Sequence, residues 1–314
     1  MRATGLQRFA GVDEAGYGPN LGPLVMTIVV AEGPAGHPLD LWSDLSATVG
    51  RAGASNRSIW IDDSKLVYKG GVGRARLETA CLAAVTATGR TAPTTFGGLL
   101  KALGAGSLDD AELSPWIDED PAWNVLPCQG DPFAGPPWRL VEIRTAVVGP
   151  ARFNQELRAS ASKAGVHFKT FQTLLESAWA ATTDEVSTSV VGDKHGGRHF
   201  YLDLLSGAFP DTWIDRGAEG PSLSRYVIRR GGRRLELALK PKADSENGLV
   251  ALASMVSKTA RELWMDAFNT YWLKQIPDLK PTAGYPVDAA RFRASIEPHC
   301  RAMGLDPSVW WRAR

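Results

Sequence analysis

Apolar residues fall into two kinds of run along this chain, and the contrast between them predicts most of its elements. Leu24 to Ala31 is almost unbroken in apolar, β-branched residues, which predicts a strand, and it reads as pairing back on Arg8 to Val12. Leu140 to Val148 predicts another strand, and Ser187 to Val191 a short buried one ending at Gly192-Asp193. Tyr226 to Arg230 and Arg233 to Leu239 read as a hairpin turned at Gly231-Gly232. Helical spacing governs three other stretches. Gly73 to Thr88 carries Leu77, Cys81, Leu82 and Val85 at that spacing, and Phe168 to Ala181 sets Phe171, Leu174, Leu175 and Ala178 on one face. The longest pattern runs from Asn247 to Tyr271, with Leu249, Leu252, Ala253, Val256, Ala260, Leu263 and Ala267 near one stripe. From Gly89 to Trp138 the texture changes to Pro, Gly, Asp and Trp, which predicts an insertion with little regular structure. Strands early, then strands and helices mixed, predict an α/β fold with a mixed sheet.

Composition narrows the picture. A chain of 314 residues, 44% hydrophobic, can bury a substantial core. The formal net charge of +1 supplies no global field toward nucleic acid, so any such binding must use local patches. Cys81, Cys128 and Cys300 are odd in number and widely spaced, matching neither a disulfide framework nor a zinc pattern, as in a reducing compartment. No secretion signal and no membrane-length apolar run is visible, so the expectation is a soluble, cytoplasmic monomer with no membrane partner. Trp116, Trp123 and Trp138 are expected to pack the insertion, and Trp310-Trp311 to dock the tail, rather than to stack on bases.

The chemistry concentrates where an acid ends a strand or precedes a helix. Asp13-Glu14 is followed at once by the glycine-rich Ala15-Gly16-Tyr17-Gly18-Pro19. Adjacent carboxylates crowd each other. They become useful when a hard cation lies between them and a phosphate crosses the glycine backbone. Taken alone, the pair also reads as a solvated turn. Asp193 reads equally as a turn residue, and Asp244 or Ser245 as the N-cap of the long helix.

Order and spacing add to this. Gly11-Val12-Asp13-Glu14-Ala15-Gly16-Tyr17-Gly18-Pro19 resembles the first motif of type 2 ribonucleases H, Asp-Glu-x-Gly-Arg-Gly-Pro. Asp63-Ser64-Lys65 is similar to their Asp-Ser-Lys. The positions Lys242, Asp244, Ser245, Ala253, Ser254, Lys258 and Arg261 resemble their Lys-Gly-Asp-Ser and the helix after it, and Gly284-Tyr285 their Gly-Tyr. The matches follow the family's order. They cover most of the chain outside Gly89 to Trp138 and the hairpin.

That resemblance implies a ribonuclease H-like fold, a central mixed sheet flanked by helices. The catalytic part would span residues 1–88 and 139–285, interrupted by the 89–138 insertion and followed by a helical tail over 286–314. It implies an endonuclease that cuts the RNA strand of RNA–DNA hybrids, or ribonucleotides in duplex DNA. A different structured nucleic acid, or binding without cleavage, stand as the alternatives. Asp13, Glu14, Asp193 and Asp244 would be the catalytic carboxylates, binding Mg²⁺ or Mn²⁺ as a pair of ions. Oxygen donors without cysteine suit those metals, and two ions roughly 3.5–4 Å apart serve both ends of an in-line displacement. The strand would have to end at Asp13, so that the turn swings Glu14 back to the same side.

Gly16, Tyr17 and Gly18 would meet the substrate, the glycine amides reaching a phosphate and a 2′-hydroxyl. Lys65 and Lys258 would hold phosphates, although each also reads as a solvated lysine. Tyr285 would stack on a sugar, or else be a core tyrosine with its hydroxyl bonded. His195 could move a proton. Arg229, Arg230, Arg233 and Arg234 could grip distal backbone, although a charged edge that resists aggregation is the more economical reading. This chain departs from the family in carrying Tyr17 for its arginine, Ala283 where lysine precedes Gly-Tyr, and a basic, glycine-rich loop after Asp193.

Overall fold

A computed structural model describes residues 5–105, 115–128, 130–160 and 162–313. The first half runs β1 (Leu6–Ala15), β2 (Leu24–Pro34), α1 (Leu41–Asp44), β3 (Val49–Gly50), β4 (Ile59–Trp60), α2 (Ser64–Val67), α3 (Gly73–Ala87), α4 (Phe96–Ala102) and β5 (Arg139–Val148). The second half runs α5 (Pro150–Ser160), α6 (Lys163–Ala181), β6 (Ser187–Asp193), α7 (Leu202–Ala208), β7 (Trp213–Glu219), β8 (Ser224–Arg230), β9 (Arg233–Lys240), α8 (Ala243–Glu246), α9 (Gly248–Gln275) and α10 (Pro286–Ala302).

Seven strands form one mixed sheet in the order β5-β2-β1-β6-β9-β8-β7. β2 is antiparallel to both β1 and β5, as its apolar run back to β1 predicts. β1, β6 and β9 are mutually parallel, with Val12 opposite Gly192 and Gly192 opposite Leu239. The β8–β9 hairpin turns at Gly231-Gly232 as expected, pairing Arg230 with Arg233. It is no peripheral addition, however. β9 lies beside β6 within the sheet, and β7, which the sequence pattern does not announce, takes the edge.

Both faces of the sheet are covered. α9, with α3 and α10, packs a core that takes in Val25, Val29 and Ala31 of β2. α6 and α7 pack the other face, against Ala10 and Val12 of β1 and Met26, Ile28 and Val30 of β2. Burial on both faces explains why β2 reads as a continuous apolar run rather than an alternating one. α9 lies very close on β1: a Cβ at Gly11 would stand 2.2 Å from the Leu249 carbonyl carbon. Only glycine permits that approach.

The 89–138 segment is largely irregular, apart from α4 and a turn of 3₁₀ helix at Trp116–Asp118. Trp116 is fully buried against Trp264, Phe268 and Tyr271 of α9, so this segment shares the α9-side core. Trp138 is buried there too, and Trp123 packs at its margin. The residues of the expected insertion at 106–114 lie outside the described ones. Past α10, Trp310 is buried and Trp311 packs beside it, as the expected docking of the tail requires.

Candidate active site

Three parallel neighbours end on the same edge of the sheet, and that edge carries the acids. Asp13 and Glu14 lie near the end of β1, Asp193 is the last residue of β6, and Asp244 sits in α8 just beyond β9. Parallel strands placed side by side bring their carboxyl ends together, which is where α/β sheets tend to build clefts.

Local bonds then set each side chain. Asp13 points toward α9, where its carboxylate accepts the Ser254 hydroxyl and its carbonyl accepts that of Ser257 at 3.1 Å. Ser254 also bonds Ser64, at 3.1 Å, tying the Asp63-Ser64-Lys65 turn to the same place. Asp193 accepts the amides of Lys194, Lys242 and Ala243, fastening the end of β6 to the turn that presents Asp244. Lys242 adopts a left-handed backbone at φ 55°, which brings the chain round sharply after β9.

Two expectations are corrected here. The strand does not end at Asp13: the ladder continues, pairing Glu14 with Met26 and Ala15 with Val25. Glu14 stays in the ladder, its carboxylate meeting His167 Nε2 of α6 at 3.2 Å while keeping a side-chain hydrogen bond with Asp13. Nor does Asp244 or Ser245 cap the long helix. Asn247 does so, accepting the amides of Leu249 and Val250, which leaves the Asp244 carboxylate free of that duty.

Electrostatics link the four acids. Burial lifts the proton affinity of Asp13 well above its ordinary range, and the charges of Glu14 and Asp244 add to this. Asp193 is raised by burial and by Glu14; Asp244 is raised by burial, Asp63 and Asp193. Burial pushes Glu14 the same way, but the His167 bond and charge outweigh it, and its net shift is downward. Among the described residues no three His, Cys, Asp or Glu side chains are grouped closely enough to hold a metal ion as they stand. The acids thus feel one another's charge without forming a closed chelate among the described residues.

Beside them opens a cavity of about 210 Å³ lined by residues 14–19, Ser64, Lys65, Lys258, Arg261 and Tyr285. Every residue expected to meet the substrate lies on this wall. Gly16, at φ 86°, lets the chain turn where a Cβ would stand 2.4 Å from the Pro23 carbonyl. The Tyr17 ring, half-buried, packs against the Phe153 cluster and edge-on to His167 at 5.1 Å while still lining the cavity. Lys258 pairs with Glu262 at 2.5 Å and lies over the Tyr68 ring, so its charge is already partly satisfied. Tyr285 is 53% exposed at the rim, which disposes of the core-tyrosine alternative.

His195 is 7% exposed within a cage of Phe171, Tyr201 and His167. Burial, then His167, Arg198 and Lys194, hold its proton affinity well below normal, a poor situation for exchanging protons with solvent. The hairpin arginines are engaged locally: Arg229 with Asp215, Arg234 with Glu236, and Arg233 over the Trp179 ring at 4.3 Å. Sequence reasoning gave no role to His167, which reaches the site from the start of α6. It also missed Arg312, whose guanidinium lies beneath the glycine loop. Neither carries a local signal.

Fold and site together define an α/β protein with an acidic cleft at the carboxyl ends of parallel strands, flanked by a glycine loop and lysines. No family profile matches the sequence, and no curated protein matches it. Among solved structures the chain is similar to the ribonuclease HII of Archaeoglobus fulgidus in complex with PCNA, at 16% identity, with 98% of this chain and 94% of that one covered and a TM-score of 0.45. It is also similar to ribonuclease H2 of Pyrococcus horikoshii OT3, at 16% identity over 97% and 92% of the two chains and a TM-score of 0.43. A Bst-ribonuclease HIII in complex with Mn²⁺ aligns at 15% identity over 99% and 67%, with a TM-score of 0.39. Likeness at this level carries no chemistry from those proteins to this one.

Proposed function

We propose that this chain is a divalent-metal-dependent endonuclease that hydrolyses the RNA strand of RNA–DNA hybrids or cuts at ribonucleotides in duplex DNA. The observation that supports this most is that Asp13, Glu14, Asp193 and Asp244 stand at the carboxyl ends of neighbouring parallel strands and perturb one another's charge. Glu14 lies on the wall of a pocket that also carries the glycine loop and lysines. The motif order in the sequence supports the same reading.

The donor set fits a hard cation. It is all carboxylate with no thiol, and the charges of its members raise one another's proton affinity. Asp13, Asp193 and Asp244 form no ion pair among the described residues, whereas Glu14 is engaged by His167 and by a side-chain hydrogen bond with Asp13. Asp13, Glu14, Asp193 and Asp244 would hold Mg²⁺ or Mn²⁺, which when bound acidifies water and neutralises a leaving oxygen.

The protein's own part is positioning and charge. The loop amides at Tyr17 and Gly18 bind a phosphate oxygen, and Lys65 adds a point charge on the same wall. The exposed Tyr285 ring offers a surface for a sugar or base. His167 keeps Glu14 ionised. Asp13 works only when deprotonated, which its surroundings resist until a cation offsets them.

A second reading, a nuclease of the same scaffold acting on another structured nucleic acid, is favoured by one observation. At the loop position where the resembled family carries arginine, this chain packs a half-buried tyrosine ring against the Phe153 cluster. Hybrid, single-ribonucleotide duplex and branched DNA assayed side by side with Mn²⁺ separate the two. Asp244→Asn is expected to abolish cleavage while leaving affinity for the preferred duplex within about threefold. If wild-type protein cuts none of the three substrates, the proposed activity fails.

A further inference from the structure

Arg312 lies 296 positions from Gly16 in sequence, yet it is fully buried directly under the glycine loop. One guanidinium nitrogen donates to the Gly16 carbonyl at 2.5 Å and reaches that of Gly22 at 3.5 Å; the other donates to the Tyr17 carbonyl at 2.9 Å. Its planar face stacks on the Phe153 ring at 3.9 Å. The backbone around it is equally held. Arg312 N–H donates to the Asn20 carbonyl at 2.8 Å, and the Asn20 side-chain amide returns a bond to the Arg312 carbonyl at 3.2 Å. Asn154 donates to the Ser308 and Trp311 carbonyls at 3.0 and 2.8 Å and accepts from Ala313 N–H at 2.7 Å.

Geometry gives this contact a consequence. In a trans peptide the C=O and the following N–H point in opposite directions. Drawing the carbonyls of Gly16 and Tyr17 down onto a guanidinium therefore turns the amides of Tyr17 and Gly18 the other way, toward the cavity that this loop lines. Among the described residues neither of those amides donates a hydrogen bond to another backbone group. The charge matters as well. Arg312 has no carboxylate partner among the described residues. Burial, with Arg261 as a like-charged neighbour, lowers its pKa to about 9. A buried positive charge under a loop of free N–H groups favours an anion above them.

We propose that Arg312 is the positioning residue of the glycine loop, aiming the Tyr17 and Gly18 amides at a phosphate of the nucleic-acid substrate. The substrate half of this statement rests on the function proposed above; the positioning half does not.

The test uses the full chain with Arg312→Gln and Arg312→Lys. Hydrogen exchange over residues 14–23 reads the loop directly, because Asn20 and Leu21 donate to the Gly284 carbonyl at 2.9 and 3.2 Å and report its closure. Arg312→Gln is expected to speed that exchange at least about tenfold, and to raise KM about tenfold with kcat within about threefold, the pattern of lost uniform binding. Arg312→Lys, which keeps the charge but not the fork, recovers part of both. If Arg312→Gln does not fold, Asn154→Ala loosens the same segment without touching the guanidinium and is read the same way. Exchange unchanged within about twofold at retained melting temperature overturns the inference, even if KM moves. A wild-type protein that cuts nothing defeats the proposed activity instead, while the exchange result, which needs no substrate, still decides the role of Arg312.

Discussion

Asp13→Asn separates two consequences of crowding carboxylates on one sheet edge. Asp13 is only 9% exposed, and its ionised form is opposed first by burial and then by Glu14 and Asp244. Its pKa in the folded state therefore exceeds the unfolded value of 3.8. At pH below that value both states are protonated, and the group contributes nothing to stability. As pH rises the unfolded chain ionises first, so the folded state loses ground, and the loss is complete above the folded pKa. At about pH 7.5 the metal-free wild type thus carries a cost that asparagine, which can still accept the Ser254 hydroxyl, does not. Every tenfold rise in proton affinity on folding costs about 1.4 kcal/mol, so the metal-free variant should melt above wild type near neutral pH, by about 2 °C for each kcal/mol of that cost.

Added metal reverses the order. A cation at about 100 times its Kd contributes about 2.7 kcal/mol, about 5 °C, to a protein that binds it. Wild type should rise by that amount on adding Mn²⁺ after EDTA, the variant hardly at all, and cleavage by the variant should fall by orders of magnitude. Scanning calorimetry with EDTA or Mn²⁺, near neutral pH and again near pH 4, measures the stability differences, and a cleavage assay the rate. A metal-free variant less stable than wild type, or equal Mn²⁺ gains in both proteins, would refute the reasoning.

Other outcomes test single contacts. His167→Ala removes the 3.2 Å bond to Glu14, so the Glu14 carboxyl, now held below its ordinary value, should titrate higher. The acid limb of the pH–cleavage profile should then move to higher pH. The stability that this bond contributes is present at neutral pH and lost as pH falls through the folded value, so an unmoved limb and an unchanged acid unfolding curve would detach His167 from Glu14. Gly11→Ala places a Cβ 2.2 Å from the Leu249 carbonyl carbon and 2.3 Å from the Val250 nitrogen, backbone atoms of a packed helix. It should cost about 3 kcal/mol, seen as a shift in the urea midpoint; a loss under about 1 kcal/mol would mean that α9 does not press on β1.

Elements whose own residues are buried are legible from residues alone. The stripe from Leu249 to Ala267 predicts α9, found at Gly248–Gln275, because one helix face meets the sheet. The run from Leu24 predicts β2 because both of its faces are covered. α5 and β7 escape the pattern for the opposite reason. α5 buries only Pro150, Phe153 and Asn154, and β7 is an exposed edge held by its ladder to β8.

For the candidate site, it is the resemblance to the type 2 ribonuclease H motifs that marks Asp13, Glu14, Asp193 and Asp244, the glycine loop, and Lys65, Lys258 and Tyr285. Periodicity and motifs are local properties, and those positions depend on little else. Which strands lie side by side, that Glu14 stays in the ladder and turns to His167, and that Arg312 closes under Gly16 from the far end of the sequence are decided only in three dimensions. Such contacts join residues that share no local pattern, and the folding of the whole core selects them.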